Sequence, residues 1–457
     1  MKNYRGLSLW HDTSGEEFTP RRQLDGDIEV DVAIVGAGFT GLWSAYHLLK
    51  FDPSLTIAII ESQIAGFGAS GRNGGWASAI YPVSNSRLTN ESGPTSAQAI
   101  RSALVESIDG IEQFCTDHDV DADFVRGGRI TVARTKVQMR RLTKEVSDDA
   151  RYGTESELLG RADVLSRIDI EGAIGGSFDP SCARVHPTKL VRGLARVVEN
   201  AGAVIYERTH AKLIEPHLVV TDRGRVQAKF VIRATEAFTP AINRGSAKRE
   251  LAPVYSLMVA TEPLPAWIWD RIGLRAYETF SEARHLIVYG QRTADDRLAV
   301  GGRGAPYFFG SKIRPSQDRD PKVHEALRNL VRDWFPEVKN HLFTHAWGGP
   351  LGISRDWHPQ VNLDRNTGLA SAGGYVGDGV TTTYLAGATL ASLIMEKENH
   401  FTRLPLVGHK SRLWEPEPIR WLAVNAGLLA MSVADREESL TRHSSYIAKA
   451  MAPLLGH

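Results

Sequence analysis

A glycine pattern near the start of the chain constrains the fold more than any other feature. The pattern follows a continuous apolar run that ends at Val35, and a helical pattern begins within it. A second apolar run ends just before Glu61, 20 residues after the last glycine of the pattern. This order predicts a buried parallel strand, a tight turn, a helix and a second parallel strand, which is the arrangement that binds dinucleotides. The pattern is Gly36-Ala37-Gly38-Phe39-Thr40-Gly41.

Each glycine of this pattern has a physical reason. Gly36 allows the tight turn, Gly38 lets the backbone approach a pyrophosphate, and Gly41 lets the helix pack closely on the strand. The start of the helix then faces the phosphates with free N–H groups and the positive end of its dipole. An ordinary glycine turn in an α/β protein is the alternative, which the complete context disfavours. The predicted cofactor-binding residues here are Gly36, Gly38, Phe39, Thr40, Gly41 and, as an acceptor for a ribose diol, Glu61.

Composition excludes several classes of protein. The chain has 457 residues, more than one ordinary core holds, so two domains are expected. A formal net charge of +1 gives no sign of a nucleic acid or an anionic membrane as partner. The two cysteines, Cys115 and Cys182, are expected to be reduced thiols. No apolar run is long enough to cross a bilayer and no secretory signal is evident, so a cytoplasmic location is expected. Residues 421–434 are expected to form a buried or amphipathic helix.

A second glycine-rich segment decides which dinucleotide is expected. It follows directly after Glu61, where an NAD-binding domain normally continues with a helix, and so many glycines make a helix costly. Such a segment suits a backbone that wraps closely along an extended ligand, so FAD is the expected cofactor. Its candidate cofactor-binding residues are Gly68, Ala69, Ser70, Arg72, Asn73, Gly74 and Gly75.

The chain resembles the superfamily of D-amino-acid oxidase, glycine oxidase and sarcosine oxidase over most of its length. Within it, residues 68–75 are most similar to the gamma-glutamylputrescine oxidase-like and aminophosphonate oxidoreductase-like members. Further similar segments are His186-Pro187, residues 231–239, His345-Ala346-Trp347-Gly348-Gly349 and residues 373–380.

The resemblance implies the fold and the rest of the cofactor site. The expected fold is α/β, with a Rossmann-like FAD-binding domain and a discontinuous antiparallel-sheet substrate domain. Ala211 would contact the adenine, and Ala234 and Thr235 would lie near the pyrophosphate. The flavin ring would meet backbone N–H groups and a helix start around Gly374, Gly377, Gly379 and Val380. Relatives with covalent flavin use a late Cys or an early His that this chain lacks, so non-covalent FAD is expected.

The expected domains are built from separated segments. The FAD-binding domain comprises residues 1–81, 183–249 and 346–410, and the substrate domain comprises 82–182 and 250–345. Residues 411–457 form a helical tail. Residues 1–29 are expected to be an extended lead-in, and 172–176 a glycine-rich loop.

The implied reaction is oxidation of a small-molecule amine to an imine, which water hydrolyses, with O2 reduced to H2O2. Amine oxidation by flavin needs positioning more than acid–base groups, so anchors and aromatic walls are expected. Asp378 would hold a cationic amine, or else only cap a helix. Arg303 would bind a carboxylate or phosphonate, or else lie on the surface. The candidate walls, each of which is as readily a core residue, are Trp76, Trp347, Tyr255 and Tyr375, with His345 as a further pocket residue.

Other interpretations stay open from sequence alone. His341 and His345 have a metal-like spacing, but no third ligand is evident, so no metal is predicted. Lys312 is a candidate for promoting the reaction of oxygen with reduced flavin. The chain could instead be an amine dehydrogenase that passes electrons to quinone or a carrier protein, an NAD-dependent dehydrogenase, or a flavin-binding module without turnover.

Overall fold

A computed structural model describes residues 3–242 and 245–451 of the chain. Two eight-stranded sheets and a small two-stranded sheet organise this part. The strands are β1 Ile28–Val35, β2 Ile57–Ile60, β3 Trp76–Ser78, β4 Arg129–Ala133, β5 Glu157–Gly160, β6 Gly175–Asp179, β7 Cys182–Arg184, β8 Val204–Tyr206, β9 Ala211–Glu215, β10 Leu218–Thr221, β11 Arg225–Arg233, β12 Leu251–Thr261, β13 Thr279–Glu282, β14 Val288–Arg292, β15 Leu298–Gly302, β16 Phe343–Ser354, β17 Gln360–Asp364 and β18 Leu369–Gly373.

Thirteen α-helices connect these strands in the described ranges. They are α1 Leu9–Thr13, α2 Phe39–Phe51, α3 Asn85–Ser92, α4 Ser96–Asp117, α5 Lys136–Asp149, α6 Arg161–Arg167, α7 Pro187–Asn200, α8 Thr239–Ile242, α9 Ala266–Ile272, α10 Pro321–Trp334, α11 Gly379–Ile394, α12 Ile419–Thr441 and α13 Tyr446–Met451.

The first sheet has a parallel centre, in the order β18-β11-β1-β2-β8, with β17 antiparallel at one edge. The β1 strand is apolar over Val32–Val35 because both faces of the sheet are covered there. Helices α2, α7 and α11 contribute to the large core on one face, and β9 and β10 form an antiparallel extension on β11. Because parallel strands share one direction, the carboxyl ends of β1, β2, β11 and β18 meet at one edge, where ligands bind in such folds.

The second sheet is antiparallel except for one pair. Its order is β16-β12-β15-β14-β13-β4-β6-β5, and β13 and β4 run parallel. The longest pairing joins β12 to β16, from Leu251 opposite Ser354 to Thr261 opposite Phe343. The glycines Gly301 and Gly302 end β15 in a fully buried strand. This sheet carries the substrate-domain segments to the same edge as the parallel strands.

Helix α4 departs from the expected domain division. Its apolar side, including Ile100, Leu104 and Ile111, lies in the same core cluster as α2 and α11. The sequence division places residues 82–182 in the substrate domain because they lie between the two predicted domains along the chain. We propose that α4 belongs with the cofactor domain, because a helix belongs to the core in which its apolar face is buried.

Three local expectations are wrong. The lead-in contains α1 and a 3-10 turn at Arg5–Leu7, with Leu9 and Trp10 fully buried. The expected glycine-rich loop at 172–176 ends in β6, where Gly175 and Gly176 pair with β4 and β5. For residues 421–434, which belong to α12, the buried alternative is wrong, because Leu422 is 55% exposed and Leu429 66%, and the amphipathic alternative remains.

Polar contacts, rather than apolar burial, fasten α12 to the substrate domain. Glu438 accepts hydrogen bonds from Arg141, at 2.6 and 2.8 Å, and lies 2.8 Å from a ring nitrogen of His285. Asp435 accepts from the backbone N–H groups of His285 and Leu286. Asn425 exchanges two hydrogen bonds with the backbone of Tyr307. His285 and Leu286 precede β14 and Tyr307 follows β15, so these contacts link α12 to the two strands that adjoin the candidate site.

Candidate active site and cofactor cavity

A cavity of about 400 Å3 opens at the carboxyl ends of the parallel strands. The glycine turn, Glu61, the second glycine-rich segment, the end of β11, residues 350–352 of β16 and the start of α11 line it. Of the sequence-predicted cofactor residues, the following line the cavity: Gly36, Gly38, Phe39, Thr40, Glu61, Gly68, Ala69, Ser70, Asn73, Ala211, Ala234, Thr235, Gly377, Gly379 and Val380. Segments far apart in sequence thus converge on one space.

The glycine turn is closed so tightly that side chains do not fit. A Cβ on Gly36 would lie 2.4 Å from the Ala234 carbonyl oxygen, and Gly36 has φ +109°. A Cβ on Gly41 would lie 2.0 Å from the Gly36 carbonyl oxygen. Gly41 therefore does not line the cavity but lets α2 pack against the turn. The backbone between them, at Gly38, remains open toward the cavity.

Glu61 and the start of α2 supply polar groups at the end of the cavity that lies beside the glycine turn. One Glu61 oxygen accepts from the Ala37 N–H at 3.0 Å and the other accepts from the Gln63 N–H at 2.8 Å. Burial raises the pKa of Glu61, while these hydrogen bonds oppose the shift. The Phe39 N–H donates to the Ser70 hydroxyl at 2.9 Å, which ties the second glycine-rich segment to the helix start.

The second glycine-rich segment is held from outside by side chains that donate to its carbonyl groups. Trp10 Nε1 donates to the Asn73 carbonyl at 2.8 Å, and Trp347 Nε1 donates to the Arg72 carbonyl at 3.0 Å. The remaining contacts run from Ser8 and Thr188 to the Gly71 carbonyl, and from Gln291 to the carbonyls of Gly74 and Gly75. Five successive carbonyl groups, from residues 71 to 75, are therefore satisfied by residues outside the segment.

Some predicted cofactor residues have a structural role instead. Arg72 is buried, donates to Asp318 at 2.8 Å and to the Gly348 carbonyl at 3.0 Å, and does not line the cavity. Its prediction rested on its place in the motif, which does not show where a long side chain points. Gly74 and Gly75 instead allow a close approach of β14, since their Cβ atoms would lie 2.6 Å from the Tyr289 ring and 2.2 Å from Gln291 Nε2.

The loop between β18 and α11 has an unusual backbone. Gly374 and Gly377 have φ of +75° and +109°, and Val376, a β-branched residue, has φ +57°. A left-handed valine is rare and strained, and such strain collects at functional sites. Gly374 does not line the cavity, and it donates its N–H to Glu236 at 2.9 Å. Glu236 does line the cavity, although nothing in its local sequence pattern indicated a role.

Asp378 and Arg303 lie beside this loop. Asp378 precedes α11 but its side chain makes no capping hydrogen bond, so the helix-cap interpretation is not supported. Burial raises the pKa of Asp378 to about 6, although Arg303 opposes the shift. Arg303 donates to the Val376 carbonyl at 2.5 Å and lies 5.2 Å from the Trp357 ring centroid. It is therefore not a surface arginine, and burial lowers the pKa of its guanidinium.

Tyr289 joins this group although sequence reasoning missed it. Its hydroxyl lies 2.9 Å from the Ser256 hydroxyl, and its ring meets Trp76 edge-on at 5.8 Å between centroids. Burial raises the pKa of Tyr289, and the charges of Arg303 and Asp378 also act on it. Trp76 therefore contacts Tyr289, and its role as an aromatic wall stays a prediction. The sequence of β14 does not show which of its faces meets the site.

The other candidate wall residues lie elsewhere. Trp347 and Tyr255 are core residues because each is buried and donates to a structural acceptor: Trp347 to the Arg72 carbonyl and Tyr255 to Gln317 at 2.9 Å. Tyr375 lines the cofactor cavity and its hydroxyl lies 3.0 Å from that of Thr40. His345 lies at the surface end of β16, 3.1 Å from Asp12, away from Asp378. An aromatic residue looks the same in sequence whether it faces a core or a pocket.

The structure also shows where the remaining candidate residues from the sequence lie. His341 pairs with Glu262 at 2.9 Å and His345 with Asp12, so the two histidines face different carboxylates. In residues 3–242 and 245–451 no group of His, Cys, Asp and Glu is arranged to hold a metal ion. Lys312 is exposed on a loop. Cys115 and Cys182 are free thiols. No helix in the described ranges is both long and apolar enough to span a membrane.

The cavity fits a dinucleotide with a flavin ring. A Cβ on Gly36 would meet the Ala234 carbonyl and one on Gly38 would lie 2.9 Å from the Ser70 hydroxyl, so both positions suit the glycine backbone that close approach to a pyrophosphate requires. Glu61 lies where a ribose diol is bound in such folds, and the start of α11 offers N–H groups at the other end. The fold and the cavity therefore define a dinucleotide-binding oxidoreductase of the flavin type.

Comparison with known proteins gives the family. The model of the family described as FAD dependent oxidoreductase, DAO, matches residues 31–393, so the chain belongs to this family, and it is an enzyme whose cofactor is FAD. It is 29% identical to gamma-glutamylputrescine oxidoreductase of Escherichia coli over 87% of this chain and 92% of the relative. It is 25% identical to glycine oxidase of Geobacillus kaustophilus over 82% of this chain and 95% of the relative. The crystal structure of glycine oxidase from Geobacillus kaustophilus matches with a TM-score of 0.69, at 23% identity, over 84% of this chain and all of that one.

Proposed function

We propose that this enzyme oxidises a small amine that also carries an acidic group, of the amino-acid or aminophosphonate type, to an imine. The observation that carries the proposal is the pair of half-buried, opposite charges beside the loop that leads into α11. Asp378 and Arg303 act on each other electrostatically, yet in the described part of the chain neither forms an ion pair within 4.0 Å. Desolvated charges without an ion-pair partner are costly, and a ligand that carries both complementary charges would pair with them.

Each anchor has a distinct task. The Asp378 carboxylate would receive the ammonium group of an arriving substrate and keep the nitrogen beside the start of α11. The Arg303 guanidinium, oriented by the Val376 carbonyl and by Trp357, would bind the acidic group with its remaining N–H donors. Trp76 and Tyr289 would exclude water from the space between. The names of the relatives, which include a glycine oxidase, support an amine substrate.

Bound FAD would supply the chemistry by accepting two electrons and a proton, as a hydride equivalent, from the carbon next to the substrate nitrogen. The substrate nitrogen must first lose a proton, and Asp378 is placed to hold it because burial raises the pKa of this carboxyl to about 6. Water then hydrolyses the imine to a carbonyl compound and an amine or ammonia. We further propose that FAD is held without a covalent bond and that O2 accepts the electrons, giving H2O2.

The first test is the visible spectrum of the purified enzyme before and after acid denaturation. Flavin that is released into the supernatant supports non-covalent binding, and flavin that stays with the protein contradicts it. Anaerobic mixing with amines, amino acids and aminophosphonates follows. We expect bleaching of the flavin band by compounds with both groups, and stronger bleaching than by matched amines without the acid. Bleaching by simple amines alone would refute the role of Arg303.

Two variants test the roles of Asp378 and Arg303 separately. Asp378→Asn should raise KM for every amine that is oxidised, whereas Arg303→Met should raise KM only for substrates with an acidic group. Loss of one charge-assisted contact is worth about 1.5–3 kcal/mol, or roughly 10- to 150-fold in KM. Arg365→Met, at a site where the arginine pairs with Glu396 on the surface, is the control. Reoxidation by air on the timescale of turnover supports the oxidase assignment, and reoxidation only by a quinone would overturn it.

A further inference from the structure

We propose that Glu236 is a positioning residue that shapes the flavin end of the cofactor cavity by holding two of its walls together. One carboxylate oxygen accepts from the N–H groups of Gly374, at 2.9 Å, and Tyr375, at 3.2 Å. The other accepts from the Gly352 N–H at 2.6 Å. Gly352 belongs to β16 of the second sheet, whereas Gly374 and Tyr375 begin the loop that leads to Asp378. A single side chain from the end of β11 therefore joins three segments.

The arrangement favours an ionised carboxylate at this position. All three contacts are donors, and an ionised carboxylate, which carries no hydrogen of its own, receives them without conflict. No Lys, Arg or His side chain in the described ranges lies within ion-pair distance of Glu236, so backbone N–H groups alone compensate its charge. Burial raises the pKa of Glu236 to about 7, and the N–H groups oppose that shift. The carboxylate is thus kept at an electrostatic cost, which is typical of a functional position.

The backbone around this contact is strained on both sides. Glu236 has φ +41° and Val376 has φ +57°, and neither residue is glycine. Opposite Glu236, Gly352 has no room for a side chain, because a Cβ there would lie 2.1 Å from a Glu236 oxygen. Such conformations persist only when the surroundings hold them, so the carboxylate fixes the loop that these residues define.

This loop determines what the flavin end of the cavity presents. After Tyr375 it runs through Val376, whose carbonyl orients Arg303, to Gly377 and Asp378. Glu236 therefore acts on both proposed substrate anchors without contact with either. The inference rests on the proposed function only for this last consequence, because its effect on FAD does not depend on the substrate.

The test uses Glu236→Gln in the full chain, with FAD affinity of the apoprotein measured by quenching of flavin fluorescence. A glutamine keeps one acceptor oxygen but places an NH2 group against at least one N–H donor. We expect at least a tenfold rise in the dissociation constant for FAD and a shift of the flavin absorption bands. The melting temperature of the apoprotein should fall less than the affinity for FAD, because removal of a desolvated charge offsets the loss of the hydrogen bond. The control is Glu250→Gln, whose carboxylate pairs with Arg233 outside the cavity.

A second variant approaches the same contact from the other side. Gly352→Ala leaves the charge in place but pushes the carboxylate away, and we expect the same weakened FAD binding and shifted spectrum. Wild-type affinity and spectrum in Glu236→Gln would overturn the proposal. An apoprotein melting temperature that falls in step with the affinity would also overturn it, in favour of a general structural role. If FAD binds as predicted but no amine bleaches it, the proposed function fails while the role of Glu236 stands.

Discussion

Replacing Trp10 with phenylalanine removes one hydrogen-bond donor from behind the second glycine-rich segment and leaves most of the ring volume in place. Trp10 is 2% exposed and its Nε1 donates to the Asn73 carbonyl at 2.8 Å. The ring also packs edge-on against Trp347, which donates to the adjacent Arg72 carbonyl. The substitution therefore leaves one buried carbonyl without its donor, next to a segment that lines the cofactor cavity.

The magnitude follows from the cost of an unsatisfied buried polar group, about 1–3 kcal/mol. In the apoprotein the segment can relax and expose the Asn73 carbonyl to water. FAD binding must then restore the closed conformation, so the cost is paid at binding. A loss of about 1–3 kcal/mol corresponds to roughly a 5- to 150-fold weaker affinity for FAD.

The assay is a titration of apoprotein with FAD, followed by flavin fluorescence. Trp421→Phe is the matched control, because Trp421 is 39% exposed on α12 and does not line the cavity. An unchanged dissociation constant for FAD in Trp10→Phe would refute the reasoning. If the melting temperatures of apoprotein and holoenzyme fell equally with no change in affinity, α1 would stabilise the fold without shaping the cofactor site.

Three further predictions test other parts of the molecule. Gly41→Ala should abolish retention of FAD, because the added Cβ would lie 2.0 Å from the Gly36 carbonyl oxygen. The measurement is the flavin-to-protein ratio after purification. The control is Gly427→Ala, whose added Cβ would lie 3.7 Å from its nearest neighbouring atom. For Asp378, whose pKa is raised to about 6, KM for the amine should rise as the pH falls below about 6, and Asp378→Asn should lack this dependence. The raised pKa also means that the stability of the apoprotein declines as the pH rises from about 4 to 6. The melting temperature of Asp378→Asn should therefore exceed that of the wild type at pH 8 and equal it at pH 4. Glu438→Gln should weaken the contacts that hold α12 to the substrate domain by about 1.5–3 kcal/mol and make this helix cleavable in limited proteolysis. Glu325→Gln, at a surface ion pair, is the control and should leave the cleavage pattern unchanged.

The first strand, turn and helix of the cofactor domain could be predicted from the sequence because their signals are local. The Gly36–Gly41 turn, its strand and its helix lie within one short stretch, and a Cβ on Gly41 would meet the Gly36 carbonyl within that same stretch. Of the second glycine-rich segment, residues 68–70 and Asn73 line the cavity, whereas Arg72, Gly74 and Gly75 do not. Pro187 likewise begins α7, since proline favours the first helical position. Patterns of this kind, in which the signals for a strand, a turn and a helix follow one another, predict the local structure directly.

The contacts that sequence reasoning missed are made across long separations. Trp10 and Asn73 are 63 residues apart, and Glu236 meets Gly374 over 138 residues. No pattern around Glu236 distinguishes a carboxylate that gathers N–H groups from one that faces water. Trp347 failed as a wall for the same reason, because its indole N–H points at the Arg72 carbonyl, which only the folded chain brings near.

Arg303 and Asp378 show where residue type and fold have to be combined. From sequence, each had an ordinary alternative, a surface cation and a helix cap. The structure removes both alternatives, since Arg303 donates to the Val376 carbonyl beside Trp357 and Asp378 caps nothing. A fold that had only to be stable would pair these charges with each other or expose them. Keeping them apart, on a loop whose strained backbone Glu236 holds, leaves each charge available to a ligand that approaches the flavin end of the cavity.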